Sequence, residues 1–240
     1  MMKLYLFQSG TIRTRRYLLA GGPVTEEPLE VPVPFFLIVH PQGNVLFDTG
    51  QALELAGKTL TGNFIPVLMP SDYVTAQLAK IGMKPSDITH VVLSHRHDDH
   101  FGGLDAFSGA AGYIQATEFR DEADRRSFCA RYPLDWHLLE GDCDLFGDTR
   151  VRIVFTPGHT LGHQSLLLKL DRAGEILLAA DSAYLEETIE RGTLPACPDH
   201  AAAVRSLERI TKMRQSGVRV ITGHDPRTWA TLKLAPEFYE

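Results

Sequence analysis

The 240-residue sequence predicts an α/β protein built as an αββα sandwich, with two sheets packed face to face and helices outside. Three observations predict it. Apolar runs of strand length recur in both halves of the chain, and each half also carries a segment with helical spacing of apolar residues. No linker, low-complexity tract or repeat separates the halves, so residues 1–240 read as one domain.

In the first half, residues 4–7 have strand composition, and residues 34–40 and 44–48 flank the turn Pro41-Gln42-Gly43 as a hairpin. Ser71 is expected to cap a helix in which Val74, Leu78 and Ile81 fall at i, i+4 and i+7, with Gly82 at its end. Residues 88–94 hold the continuous run Val91-Val92-Leu93, the pattern of a strand covered on both faces. In the second half, residues 151–155, 164–170 and 175–180 read as strands. Residues 198–215 read as a helix with Pro198 near its first turn and Gly217 at its end, and residues 218–222 as a last strand.

Lysine plus arginine total 24 against 30 aspartates and glutamates, a net charge of -6. That balance argues against a nucleic-acid partner, which needs a basic face. No apolar run approaches a membrane span, and the apolar stretch at the N-terminus is too short for a signal peptide, so the cytoplasm is the expected location. Cys129, Cys143 and Cys197 are odd in number and widely spaced. They form neither a disulfide framework nor a C-x-x-C metal pair, and read as small buried or half-buried thiols.

The chemistry is concentrated in Ser94-His95-Arg96-His97-Asp98-Asp99-His100-Phe101-Gly102-Gly103, directly after the doubly covered strand. An extended strand end puts His95 and His97 on one side, where two imidazoles can reach one cation. Asp99 and His100 fall where the chain turns and can face a second cation, and Gly102 and Gly103 are expected to permit the tight turn. Imidazole nitrogen and carboxylate oxygen suit Zn²⁺, with Co, Mn or Fe as alternatives.

Three more ligand-type residues follow strands: His159 in Thr156-Pro157-Gly158-His159, Asp181 after Ala179-Ala180, and His224 in Thr222-Gly223-His224-Asp225. Together the seven make two shells for two divalent ions. His95, His97 and His159 would hold one, Asp99, His100 and His224 the other, and Asp181 would bridge them. Two such cations can hold a hydroxide between them and lower its pKa towards neutrality, which supplies a nucleophile in a chain with no G-x-S-x-G elbow.

These motifs resemble the metallo-β-lactamase superfamily and, within it, the N-acyl-homoserine lactone lactonases. The resemblance rests on His-x-His-x-Asp-His, on Leu46-Phe47-Asp48-Thr49-Gly50, and on Gly162-His163-Gln164-Ser165. It rests too on the spacing, with 58 residues between His100 and His159 and 21 between His159 and Asp181. The segments Val31-Pro32-Val33-Pro34-Phe35-Phe36 and Ala235-Pro236-Glu237-Phe238-Tyr239 resemble the branch that also opens γ-butyrolactones. The similarity runs over nearly the whole chain. It implies the metallo-β-lactamase fold, a small lactone as substrate, and no nucleic-acid or membrane partner, and it is compatible with a homodimer. It further implies that Tyr184, three residues after Asp181, reaches the substrate carbonyl, while Asp99 shuttles a proton to the leaving alkoxide. Two departures stand out. Asp98 occupies a place where many of these lactonases carry an apolar residue, so a pocket wall that is either more polar or more mobile is expected there. The segment before Ser71 is short for this branch, which bears on the acyl-chain groove.

Among the remaining residues, His163 is expected to make a structural hydrogen bond. His40, His90, His137 and His200 read as isolated. Asp48 either orients a ligand histidine or caps the turn at Thr49-Gly50. Phe64, Ile65, Leu68 and Met69 either line an acyl groove, pack in the core or form a lid edge. The alternatives within the fold are a glyoxalase II-like thioesterase, in which Tyr184 would not be expected, and a nuclease, which would want a basic surface. A diiron reductase would carry glutamate in place of His97, and a non-catalytic metal-dependent binder is a further alternative that turnover of lactone, thioester and phosphodiester substrates would separate.

Overall fold

The computed structural model describes residues 1–240 and contains both sheets. The first holds β1 (Lys3–Arg15), β2 (Pro28–His40), β3 (Gly43–Phe47), β4 (Ile65–Val67), β5 (His90–Val92), β6 (Ala111–Gln115) and β7 (Asp135–Leu139), in the order β4-β1-β2-β3-β5-β6-β7. The second holds β8 (Cys143–Asp144), β9 (Val151–Phe155), β10 (Gln164–Leu170), β11 (Gly174–Leu178) and β12 (Arg219–Ile221), in the order β12-β11-β10-β9-β8. Helices α1 (Tyr17–Ala20), α2 (Val74–Ala79), α3 (Asp98–Phe101), α4 (Glu122–Arg131), α5 (Glu186–Arg191), α6 (His200–Gln215) and α7 (Pro226–Trp229) complete the chain.

Strand alternation sorts the side chains into layers. Leu4, Leu6, Ile38, Val45, Phe47 and Val92 meet Ile153, Leu166, Leu168, Ile176, Leu178 and Ile221 in one buried cluster between the sheets. The opposite faces are buried as well. Leu37, Leu46, Val91 and Leu93 pack with Val74, Leu78 and Phe128 of α2 and α4, while Val154, Leu167 and Leu177 pack under Leu207 and Ile210 of α6. This is the expected αββα order, and it explains why residues 91–93 are apolar without interruption.

Strands β3 and β5 and those expected in the second half lie where the sequence places them, within about two residues at their ends. But β2 begins six residues before the expected 34–40, at Pro28, and β1 runs on from the expected 4–7 to Arg15, because the two pair with each other along almost their whole length. The cap at Ser71 is a correction. Pro70–Asp72 forms a 3-10 turn closed by Asp72, whose carboxylate accepts the Met69 N–H at 2.8 Å, and α2 begins at Val74 with Tyr73 at its N-cap. Helix α2 therefore ends before Ile81. At the other helix Pro198 precedes the cap, which is Asp199 accepting the Ala202 N–H at 2.9 Å. Three histidines expected to be isolated share a ladder of rings. His40 stacks on Phe146 at 4.3 Å, Phe146 meets the His90 edge at 5.1 Å, His90 stacks on Tyr113, and Tyr113 stacks on His137 at 4.8 Å.

Strands β3, β5 and β6 run parallel, so their carboxyl ends lie on one side. In the other sheet, β9 and β11 are both antiparallel to β10, and β12 is parallel to β11, so these three also end together. The loops after all six converge at one edge of the sandwich.

Candidate metal centre

Every ligand-type residue singled out in the sequence lies at that edge. His95 and His97 follow β5, Asp99 and His100 lie in α3, His159 follows β9, Asp181 follows β11, and His224 follows β12. They form two groups with converging donor atoms: His95, His97 and His159 with Asp181, and Asp99, His100 and His224. In the first, His95 Nε2, His97 Nδ1 and His159 Nε2 make a triangle with sides of 2.9, 2.9 and 3.1 Å. Asp181 divides its oxygens between the groups. Oδ2 lies 3.3 Å from His159 Nε2 and 3.6 Å from His95 Nε2, while Oδ1 lies 3.1 Å from His224 Nε2 and 3.2 Å from His100 Nε2.

The donor set fits metal ions on two grounds. Three imidazole lone pairs that converge on one point repel one another unless a cation sits among them. His100 Nε2 is buried and, despite its nearness to Asp181, makes no hydrogen bond, an orphan of the kind a cation would satisfy.

The far nitrogens fix which atom faces inward. His224 Nδ1 lies 2.8 Å from the Pro32 carbonyl, and His100 Nδ1 lies 2.8 Å from Asp48 Oδ2. Both partners only accept, so each Nδ1 carries a proton and leaves Nε2 pointing at the centre. Ser94 donates its hydroxyl to Asp48 at 2.8 Å and lies 2.9 Å from His95 Nδ1. Asp48 thus reaches His100 directly and His95 through Ser94. Of the two roles open to it in the sequence, orienting a histidine is the one with contacts. Asp48 (φ +61°) and Ala180 (φ +45°) sit in the left-handed region, strain costing about 1–3 kcal/mol each and placed beside the centre. Gly102 and Gly103 do not relieve turn strain, since their φ values are ordinary. They allow close approach instead: a Cβ on Gly102 would meet the Ala52 nitrogen at 2.2 Å.

Electrostatics divide the groups. Burial and the neighbouring His100 hold His95 well below the usual imidazole range, and burial pushes His159 down to about 4. Burial also opposes charge on His100 and His224, but Asp181 and Asp99, joined by Asp48 at His100, outweigh it and raise both. Burial would raise Asp181, yet the four histidines around it hold it well below the carboxylate range. Burial, then Asp181 and Asp99, push Tyr184 well above its ordinary value, so it keeps its proton. Its hydroxyl lies 2.8 Å from His159 Nδ1. The chain around Tyr184 is laced to the His224 loop by Gly223 N–H to Ala183 O at 3.0 Å and His224 N–H to Tyr184 O at 2.8 Å.

The centre opens on a cavity of about 350 Å³. Asp99, Asp181, His97, His224 and Tyr184 form its floor, Ile12, Leu19, Val31, Leu55, Phe64 and Pro66 its apolar wall, and Gln51 and Asp98 its polar remainder. Of the four groove candidates in the sequence, only Phe64 lines it. Leu68 is buried, and Met69 projects to solvent at 60% exposure. The shortness of the segment before Ser71 does not abolish the groove, because Leu55, Phe64 and Pro66 of that segment close it. The other wall residues come from β1, α1 and β2, far apart in the chain, and no local pattern announces them. His163 is structural as expected: its Nε2 accepts the Asp181 N–H at 3.1 Å, and its Nδ1 faces Thr156.

The sequence profile of the metallo-beta-lactamase superfamily matches residues 29–224. The chain belongs to the metallo-β-lactamase superfamily. Among its relatives there, the N-acyl homoserine lactonase AttM of Azorhizobium caulinodans is 33% identical, over 100% of this chain and 99% of that one. The N-acyl homoserine lactonase of Bacillus cereus is 29% identical over 98% of both chains. A solved N-acyl homoserine lactone hydrolase, with the product N-hexanoyl-L-homoserine bound at its catalytic metal centre, superposes with a TM-score of 0.88 at 26% identity. The match covers 99% of this chain and 98% of that one. No helix of this superfamily member is long and apolar enough to cross a membrane.

Proposed function

We propose that the protein is a dinuclear metal hydrolase that opens the ester ring of N-acyl-homoserine lactones, a quorum-quenching activity, and also accepts γ-butyrolactone. The observation that carries this is Asp181 shared between two donor groups at the floor of an apolar-walled cavity, in a chain aligned end to end with N-acyl homoserine lactonases. The whole of residues 1–240 acts as one hydrolase domain. Its cytoplasmic placement is in keeping with three cysteines that form no disulfide.

His95, His97 and His159 would hold one ion, Asp99, His100 and His224 the other, with Asp181 between them. Zn²⁺ suits the donors, and Co, Mn or Fe can take the same set. When bound, such a pair supplies water activated near neutral pH and polarises a carbonyl. The protein's own part is orientation and proton transfer. The apolar wall takes the acyl chain and excludes water from it. His159 Nδ1–H donates to the Tyr184 oxygen, which frees the tyrosine proton for the lactone carbonyl oxygen as negative charge develops there. Asp99 lines the cavity with its Oδ2 3.6 Å from His100 Nε2 and 3.8 Å from His224 Nε2. It takes the proton released by the attacking water and delivers it to the ring oxygen as the carbonyl carbon–oxygen bond breaks. The product is an open hydroxy acid.

A panel of N-acyl-homoserine lactones, γ-butyrolactone, S-lactoylglutathione and a phosphodiester, read by proton release or thiol appearance, tests the reading. Ring opening should dominate. A thioester turned over far faster than any lactone would replace this function with the glyoxalase II-like one.

A further inference from the structure

We infer that Glu118 is a positioning residue that ties together the two loops of the first donor group and thereby sets how tightly that group holds its ion. The inference rests on reading His95, His97 and His159 as ligands. These histidines sit on loops from different sheets, and a gap of a few tenths of an ångström between the loops would open the donor triangle. Glu118, just past β6, lies across the seam. Its Oε2 accepts the backbone N–H of Arg96, between His95 and His97, at 3.3 Å. Its Oε1 accepts the Gly162 N–H at 3.1 Å and the Thr160 hydroxyl, both on the His159 loop.

The neighbouring groups reinforce the same seam. Arg96 Nη1 donates to the Glu118 carbonyl at 3.2 Å, and its guanidinium forks onto Asp124 at 2.9 and 3.1 Å. Gly162 has no room for a side chain, since a Cβ there would stand 2.6 Å from the Glu118 nitrogen and 2.7 Å from its Cγ. A carboxylate suits this place because it offers two acceptor oxygens and no donor, whereas a glutamine would turn one end into a donor facing another donor. The second donor group is not touched by Glu118. Its histidines are oriented by Asp48 and the Pro32 carbonyl instead.

The test reads metal affinity rather than turnover. Zn²⁺ is titrated against a competing chelator in the full-length protein, in Glu118→Ala and in Glu118→Gln. One of the two affinities should fall about 10-fold in the alanine variant, the low end of what losing a ligand's own hydrogen-bond partner costs, because Glu118 bonds the loops rather than a ligand, and less in the glutamine variant. The other should stay within about twofold. In a His97→Ala background, where the first group is already broken, Glu118→Gln should add nothing to the loss. The inference is overturned if both affinities fall equally, if neither falls while the melting temperature does, or if the loss persists in the His97→Ala background. Should the alanine variant not fold, the glutamine variant decides by the same criteria. A protein inactive on lactones would sink the proposed substrate and leave this measurement standing.

Discussion

Four of the five histidines in the donor groups at and beneath the cavity floor are held by a second partner: Ser94 at His95, Asp48 at His100, Tyr184 at His159 and the Pro32 carbonyl at His224. The wall of the same cavity is assembled differently. Phe64 is 50% exposed, Leu55 sits on a single 3-10 turn, and Leu19 on a four-residue helix. Floor groups must be placed to a fraction of an ångström to share a cation, and the protein spends buried hydrogen bonds on them. Ile12, Leu19 and Val31 belong to a buried cluster, but Leu55 and Phe64 need only present apolar surface from the segment between β3 and β4, which tolerates motion and exchange. Substitutions on the floor should therefore change metal binding or kcat for every substrate, and substitutions at Leu55 and Phe64 should change selectivity alone.

The largest effect should come from Asp181→Asn. It removes the one carboxylate that both groups share and leaves four histidine nitrogens around a neutral amide. Metal analysis should find fewer than two ions per chain, and activity should fall by more than the roughly 100-fold that loss of an outer partner costs. Two tight ions retained by this variant would break the bridged arrangement. Chelator treatment of the unmodified protein should abolish turnover, and added Zn²⁺ should restore it.

Asp48→Asn comes next. Asparagine tolerates the left-handed backbone at this position, so the turn survives and only the acceptor at His100 and Ser94 is impaired. Metal affinity or activity should drop roughly 10- to 100-fold. Normal metal affinity would return Asp48 to its other role, capping the turn.

Tyr184→Phe keeps the ring and deletes the donor. An oxyanion donor acting nearly alone can be worth about 10²–10³ in rate, and in the proposed mechanism a metal would share the work, so a loss of roughly 10- to 100-fold in kcat is expected. Metal content should be unchanged. Full turnover by the metallated variant would remove the hydroxyl from the mechanism and leave Tyr184 as packing beneath the loop.

The contrast between floor and wall also separates what could be read from the sequence. The convergence of the donor groups was legible because its signals are local: three histidines and two aspartates within six residues, then single ligand-type residues after buried strands. The sandwich was legible from strand-length apolar runs in both halves, each with a helical segment to cover it, and the run Val91–Leu93 pointed to a strand buried on both faces. Strands β6 and β7 were not. Ala111–Gln115 and Asp135–Leu139 lack such a run, and their place is set by parallel pairing with β5, a partner distant in sequence. The cap expected at Ser71 missed because Asp72 closes a 3-10 turn first. The wall was illegible for a different reason. Ile12, Leu19, Val31 and Leu55 come from four separate segments and meet only in the folded chain.

The smallest predicted effect is the most specific to the wall. Phe64→Ala deletes a large, half-exposed ring from the apolar wall of the cavity and leaves every floor side chain unaltered in identity. If the ring covers about 40–60 Å² of a long acyl chain, its loss costs about 1–1.5 kcal/mol at about 25 cal/mol per Å². KM for N-decanoyl-homoserine lactone should then rise roughly fivefold to tenfold, since 1.4 kcal/mol is about a factor of ten. Turnover of γ-butyrolactone, which has no acyl chain to lose contact with, should hold. Met69→Ala is the matched control, because Met69 is also exposed and apolar but lies outside the cavity wall. It should leave both substrates alone. A Phe64→Ala variant that slowed γ-butyrolactone as much as the decanoyl substrate would mean that the rim and the floor move together, and the division between a fixed floor and a permissive wall would fail.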